Sequence, residues 1–189
     1  MKKLFFILFL ALLPACEIVD FISDIDEVYE TVEEQYWDGK YIGKIENYNF
    51  PGSETIPEFT NIEEAQNYMQ DNFEYEKDIE QFGQADYWQT PEEFYYNRKG
   101  DCEDWSLFAM YLLNRMNIQS QFILTKSRYN KISHAITYVP DIEKYIDFIT
   151  GGKLNKKLAE SHYIITNSIP YSEALWMTIN YHDNVGKYR

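Results

Sequence analysis

From residue 102 to 116, apolar side chains recur at three- and four-residue steps, Leu107, Met110, Tyr111, Leu113 and Met116 among them. That period predicts the main helix of the chain. Upstream, Thr60-Asn61-Ile62-Glu63 reads as a capping box, with Thr60 as cap and Glu63 reaching back. It opens a helix to about residue 72, with Ile62, Ala65, Tyr68 and Met69 inward. Thr90 and Pro91 predict a second short helix, Thr90 capping it and Pro91 in its first position. After Asn117 the period drops to two. Residues 119–127, 133–139 and 144–149 are rich in β-branched and aromatic residues, and Tyr129-Asn130-Lys131 and Pro140-Asp141 separate them. Three strands so close together read as an antiparallel meander, ended by Gly151-Gly152. Beyond it, residues 153–162 read as a short helix and 163–166 as a short apolar stretch. Residues 173–179 fit strand and helix equally. Helices first and sheet afterwards make an α+β domain.

The start of the chain has a different pattern. Lys2 and Lys3 precede an apolar run, residues 5–13, that is too short to span a bilayer. Leu13-Pro14-Ala15-Cys16 follows, a tetrapeptide that resembles a bacterial lipobox, in which Cys16 would be acylated. Residues 1–16 are then a lipoprotein signal, 17–58 an acidic leader or stalk, and 59–189 the domain. The expected location is the cell envelope, with the chain lipid-anchored to a bacterial membrane. Seventeen lysines and arginines against 31 aspartates and glutamates give a net charge of −14. That balance speaks against nucleic acid and anionic lipid as partners, so acyl chains rather than charge would hold the protein to a membrane.

With Cys16 lipidated, Cys102 is the one thiol left of two. It stands in Gly100-Asp101-Cys102-Glu103-Asp104-Trp105, in the first turn of the predicted main helix. Unpaired N–H groups and the helix dipole favour a thiolate there. A nucleophilic thiol needs a base and the base needs an orienter. His134, on the middle strand, and Asp147, on the next strand, are the candidates. His162 and His182 are rivals outside the meander. Gln89 and the backbone N–H of Cys102 are two candidate oxyanion donors. Asp101, Glu103 and Asp104 oppose a thiolate by charge unless a cation offsets them. Two carboxylates, Asp101 and Glu103, beside a loop suit Ca²⁺, with Asp104 capping the helix. Helix-end acids without a metal fit the same pattern.

The Gly100-to-Asp104 run, Ser133-His134-Ala135 and Tyr145-Ile146-Asp147 together resemble the transglutaminase-like superfamily of papain-like fold. With residues 73–78 and 88–94 added, the chain is similar to the bacterial transglutaminase-like cysteine proteinases, over roughly residues 60–150. The resemblance implies Cys102 as nucleophile, His134 as base, Asp147 as orienter and calcium beside Asp101 and Glu103. It also implies a protein or peptide substrate at the cell envelope, cut through a thioester. Hydrolysis and acyl transfer both follow from that chemistry. A non-enzymatic module that binds a peptide or partner protein is the alternative.

Overall fold

A computed structural model describes the backbone of residues 48–84 and 86–185 and the side chains through Asn180. The signal segment, Cys16 and the leader as far as residue 47 lie outside the described residues, as does the side chain of His182. Helix α1 is Ile62–Asn72, α2 Asp78–Gln81, α3 Pro91–Asn97 and α4 Cys102–Arg115. Two short strands, β1 (Glu74–Tyr75) and β2 (Lys99–Gly100), pair in parallel. The main sheet has β3 (Gln121–Ser127), β4 (Ser133–Val139), β5 (Lys144–Asp147), β6 (Gly152–Asn155) and β7 (Tyr163–Pro170), in the order β6-β5-β4-β3-β7. Helix α5 (Lys156–His162) joins β6 to β7, and α6 (Tyr171–Val185) follows. Every pairing in the main sheet is antiparallel. The α+β class with a small antiparallel sheet is as expected.

Helix α4 is buried on all sides, from Glu103 through Leu113 without a gap. A helix apolar all round belongs in the middle of a domain. One side carries the rings of Phe73, Phe94 and Phe108, whose centroids lie 4.8 to 5.3 Å apart. The other side lies on the sheet, where Thr137 donates to the Ser106 carbonyl at 3.5 Å. The opposite sheet face is closed by α5, with Ala159 packed on Ile123, Ile136 and Tyr145.

Four expectations change and one open alternative is decided. The α1 cap sits one residue later than read: Asn61 accepts from the Glu64 N–H at 3.0 Å, and Glu64, not Glu63, reaches back to the Thr60 N–H at 2.7 Å. Asn61→Ala is expected to cost about 1 kcal/mol in urea unfolding, against next to nothing for Glu63→Ala. The meander does not stop at Gly151-Gly152 but turns there into β6. The apolar stretch after α5 is longer than expected and becomes the sheet edge β7, and residues 173–179 are helical. Residues 49–58, read as leader, pack on the domain: Phe50 and Ile56 are buried, and Arg115 donates to the Ser53 carbonyl at 3.0 Å. Among the described residues no helix is long and apolar enough to cross a membrane.

Candidate active site

Cys102 is the first residue of α4, close enough to β4 for the Ala135 N–H to favour its thiolate. Among the described residues no hydrogen bond joins it to His134, the residue before Ala135. The His134 Nε2 lies 3.2 Å from Asp147 Oδ2. The register explains how. Thr137 faces Ile146 and Tyr138 faces Tyr145, so one step further Asp147 faces Ile136. His134 is a two-residue diagonal away on the same face, within reach of its long side chain.

Asp147 is held on every side. Its Oδ1 accepts the N–H groups of Ile149 at 3.0 Å and Thr150 at 3.3 Å. Its carbonyl accepts from Gln66 Nε2 at 3.3 Å. Burial alone would raise the acid's pKa, but the bonds from His134 and Thr150 outweigh it and hold Asp147 below its ordinary value. It is a fixed anion, suited to orient a ring and to stabilise its protonated form. Gln66 carries no signal of this role in sequence, because an amide 81 residues away can be matched to that carbonyl only by the fold.

Gln89 is not free to serve an oxyanion. It is 1% exposed, and its Nε2 donates to the Lys99 carbonyl at 2.9 Å and to Asp104 Oδ2 at 2.6 Å. Both amide hydrogens are thus committed. Its Oε1 accepts from Asn97 at 2.7 Å, and its backbone N–H donates to Asp104 Oδ1 at 2.7 Å. Gln89 and Asp104 form a buried strut that fixes the start of α4. The Cys102 N–H remains as a donor. Asp104 does cap as expected, taking the Asp101 N–H at 3.3 Å. His162 sits at the end of α5 with its ring against Tyr129 and Tyr163.

Around the thiol the acids are closer and more numerous than the sequence reading named. Oxygens of Asp78, Asp101 and Asp104, and of Asp78, Asp86 and Glu103, come within 4.8 Å of one another, and Asp101, Cys102 and Glu103 form a third such group. Burial, then the Asp101 and Asp86 charges, push Asp78 up to about 6. Burial likewise drives Glu103 and Asp104 well above the carboxylate range. Burial first and then Glu103 push the Cys102 thiol up strongly, and Sγ–H donates to Glu103 Oε2 at 3.2 Å. One oxygen each of Asp78 and Asp101 is buried with no hydrogen-bond partner among the described residues. An all-oxygen donor set with orphaned carboxylate oxygens fits a hard cation such as Ca²⁺. Asp78, Asp101 and Glu103 would hold it, with Asp86 at the rim. Asp78 and Asp86 precede Cys102 by 24 and 16 residues, and no spacing rule joins them to it.

Tyr75 completes the rim. It pairs with Gly100 across β1 and β2. Partial burial and then the charges of Cys102, Asp101, Glu103 and Asp78 push its phenol up to about 12.

A family model for a transglutaminase-like domain matches residues 47–155. Among solved structures, LapG of Legionella pneumophila is 20% identical over 69% of this chain and 82% of that one, with a TM-score of 0.50. An EGTA-treated form is also 20% identical over 69% of this chain, covers 80% of that chain and has a TM-score of 0.50. A calcium-bound form is 21% identical over 69% and 71% of the two chains, with a TM-score of 0.49. No curated protein matches significantly. The likeness in fold to LapG puts the main helix and the antiparallel sheet in the transglutaminase-like, papain-like arrangement.

Proposed function

The chain belongs to the transglutaminase-like family, and on that premise we propose that it is a membrane-anchored cysteine hydrolase acting on peptide or isopeptide bonds. One observation carries the reading: a thiol at the start of a buried helix abuts the strand whose imidazole is held by a buried, ionised aspartate. With Nε2 turned to Asp147, His134 has Nδ1 left to take the Cys102 proton. The thiolate adds to the carbonyl carbon, and the Cys102 N–H faces the oxyanion. His134 then returns its proton to the leaving amine as the C–N bond breaks, leaving a thioester. Water, deprotonated by His134, cleaves the thioester and restores the thiol. An amine in place of water would give acyl transfer. Hydrolysis is the reading adopted, because water is the acceptor always at hand. Cys16 would carry the lipid that holds the domain at the cell envelope, where its substrate would be a protein or peptide.

Asp78, Asp101 and Glu103 are the residues that would bind Ca²⁺. When bound, the ion supplies positive charge that offsets the carboxylates beside the sulfur. The protein's own groups still perform each proton transfer. The second reading, a non-enzymatic peptide-binding module, has one observation on its side: Cys102 Sγ–H donates to Glu103 at 3.2 Å, and burial with the Glu103 charge raises the thiol's pKa.

Alkylation by iodoacetamide at pH 7 separates the two. In 1 mM CaCl₂, Cys102 is expected to react at least about tenfold faster than glutathione, itself a few per cent thiolate. In EGTA it should fall below glutathione, and His134→Ala should fall even in calcium. Labelling no faster than glutathione in either buffer would leave the binding module as the reading.

A further inference from the structure

The two sides of the proposed cleft differ in the sign of their charge. Across residues 49–120, fifteen carboxylates stand against four lysines and arginines; across residues 121–170, four stand against seven. The negative excess is thus carried by the helical half, while the sheet half is net positive. The β3–β4 turn holds part of that positive charge. Arg128 and Lys131 are exposed there, with no carboxylate in the turn itself. The one carboxylate of α5, Glu160, lies 3.9 Å from Lys156.

The turn is firmly built. The Arg128 N–H donates to the His162 carbonyl at 2.9 Å, and Arg128 Nε to the Glu160 carbonyl at 2.8 Å. Lys131 Nζ donates to the Arg128 carbonyl at 3.1 Å, and the Ile132 N–H to Asn130 Oδ1 at 3.1 Å. On this frame Tyr129 is 75% and Ile132 63% exposed. From Tyr129 a series of rings leads inward. Tyr129 to His162 is 5.7 Å, His162 to Tyr163 is 6.4 Å, and Tyr163 to His134 is 6.1 Å, centroid to centroid. The track runs from a solvent-facing turn to the imidazole proposed as base. Three steps of this size cover at most the length of five or six extended residues.

We propose that this ring track and the β3–β4 turn dock an extended segment of the substrate polypeptide that carries both carboxylates and bulky apolar side chains. The assignment rests on the hydrolase reading and names the substrate class for it. Exposed rings take the apolar side chains, and Arg128 and Lys131 face the carboxylates. The acidic stretch lies over the sheet, where the β3–β4 turn carries its positive charge, to one side of the bond that is cut.

The test uses the full chain with Cys102→Ala in 1 mM CaCl₂ and two fluorescein-labelled twelve-residue peptides. Both alternate leucine or phenylalanine with charged residues, glutamate in one and lysine in the other. Fluorescence anisotropy is expected to show the glutamate peptide bound at least about tenfold more tightly, and weakened by 0.5 M NaCl. Tyr129→Ser with Lys131→Glu should remove that preference. The same pair, placed in the chain with Cys102 intact, should leave iodoacetamide labelling within about twofold, which shows a folded site. Equal binding of the lysine peptide, or glutamate-peptide binding indifferent to the two substitutions, overturns the assignment. Fast thiol labelling with indifferent peptide binding overturns it alone. Slow labelling with selective binding upholds the surface and removes the hydrolase reading.

Discussion

Gly100→Ala is expected to cost about 3 kcal/mol or more of stability, and with it the reactivity of Cys102. A methyl group at Gly100 would stand inside the Asp104 carboxylate and 2.7 Å from Gln89 Nε2. Neither neighbour can swing away. Both are 1% exposed, and together they bond Lys99, Asn97 and the Asp101 N–H. Moving either leaves a buried carboxylate or amide without partners, which is more costly than the lost bond itself. The helix start that presents the thiol would shift with them. Gly83→Ala is the useful comparison: it has φ +69° but nothing within 4 Å of the added atom. Its cost should be only about 1 kcal/mol, from the left-handed backbone alone. Urea unfolding measures both, and iodoacetamide labelling follows the thiol. A loss at Gly100 no larger than at Gly83 would show that the strut can yield.

In EGTA the protein is expected to be more stable at pH 5 than at pH 7.5, and Ca²⁺ to reverse that order. A carboxyl group raised in the folded state contributes its stability fully below the unfolded value. That contribution is lost as the pH climbs through the folded value. For Asp78 the window runs from about 4 to about 6, and Glu103 and Asp104, raised by burial, carry the decline further up. Asp147 has the opposite sign. It is lowered, so its contribution is present above the usual aspartate value and fades only in stronger acid, leaving pH 5 untouched. Calcium needs the acids deprotonated, so its affinity rises with pH. At a thousandfold excess over Kd it adds about 4 kcal/mol. Melting curves at the two pH values, with EGTA or 1 mM CaCl₂, read this directly. Asp101→Ala with Glu103→Ala should erase the calcium effect. A Tm that rises from pH 5 to 7.5 in EGTA would refute the assignment.

What the chain made legible was whatever repeats. Helix α4 and strands β3 to β5 follow from their periods because each packs one face, or every face, against a core. Strands β6 and β7 did not, because they lie at the two edges of the sheet. Their exposed Lys153, Thr166 and Asn167 interrupt any apolar alternation. The α1 cap slipped by one residue because Thr60 and Asn61 are both good caps followed three residues on by a glutamate. At the site, Cys102, His134 and Asp147 stood out by order and local context, while the roles of Gln66, Gln89 and Asp78 depend on long-range contacts. A buried amide that braces a helix and one that serves an oxyanion look alike until their hydrogens are counted.

The attachment of residues 49–56 decides how the domain carries load. The Ser53 and Ile56 carbonyls are gripped by Arg115 at the C-terminal end of α4, and the Pro51 carbonyl by the Tyr96 hydroxyl. Cys102 opens the same helix. Fourteen residues at 1.5 Å put the two ends about 20 Å apart. A pull on the chain at Asn49 would therefore be divided between Arg115, one helix length from the thiol, and Tyr96 on α3, before it reached Cys102.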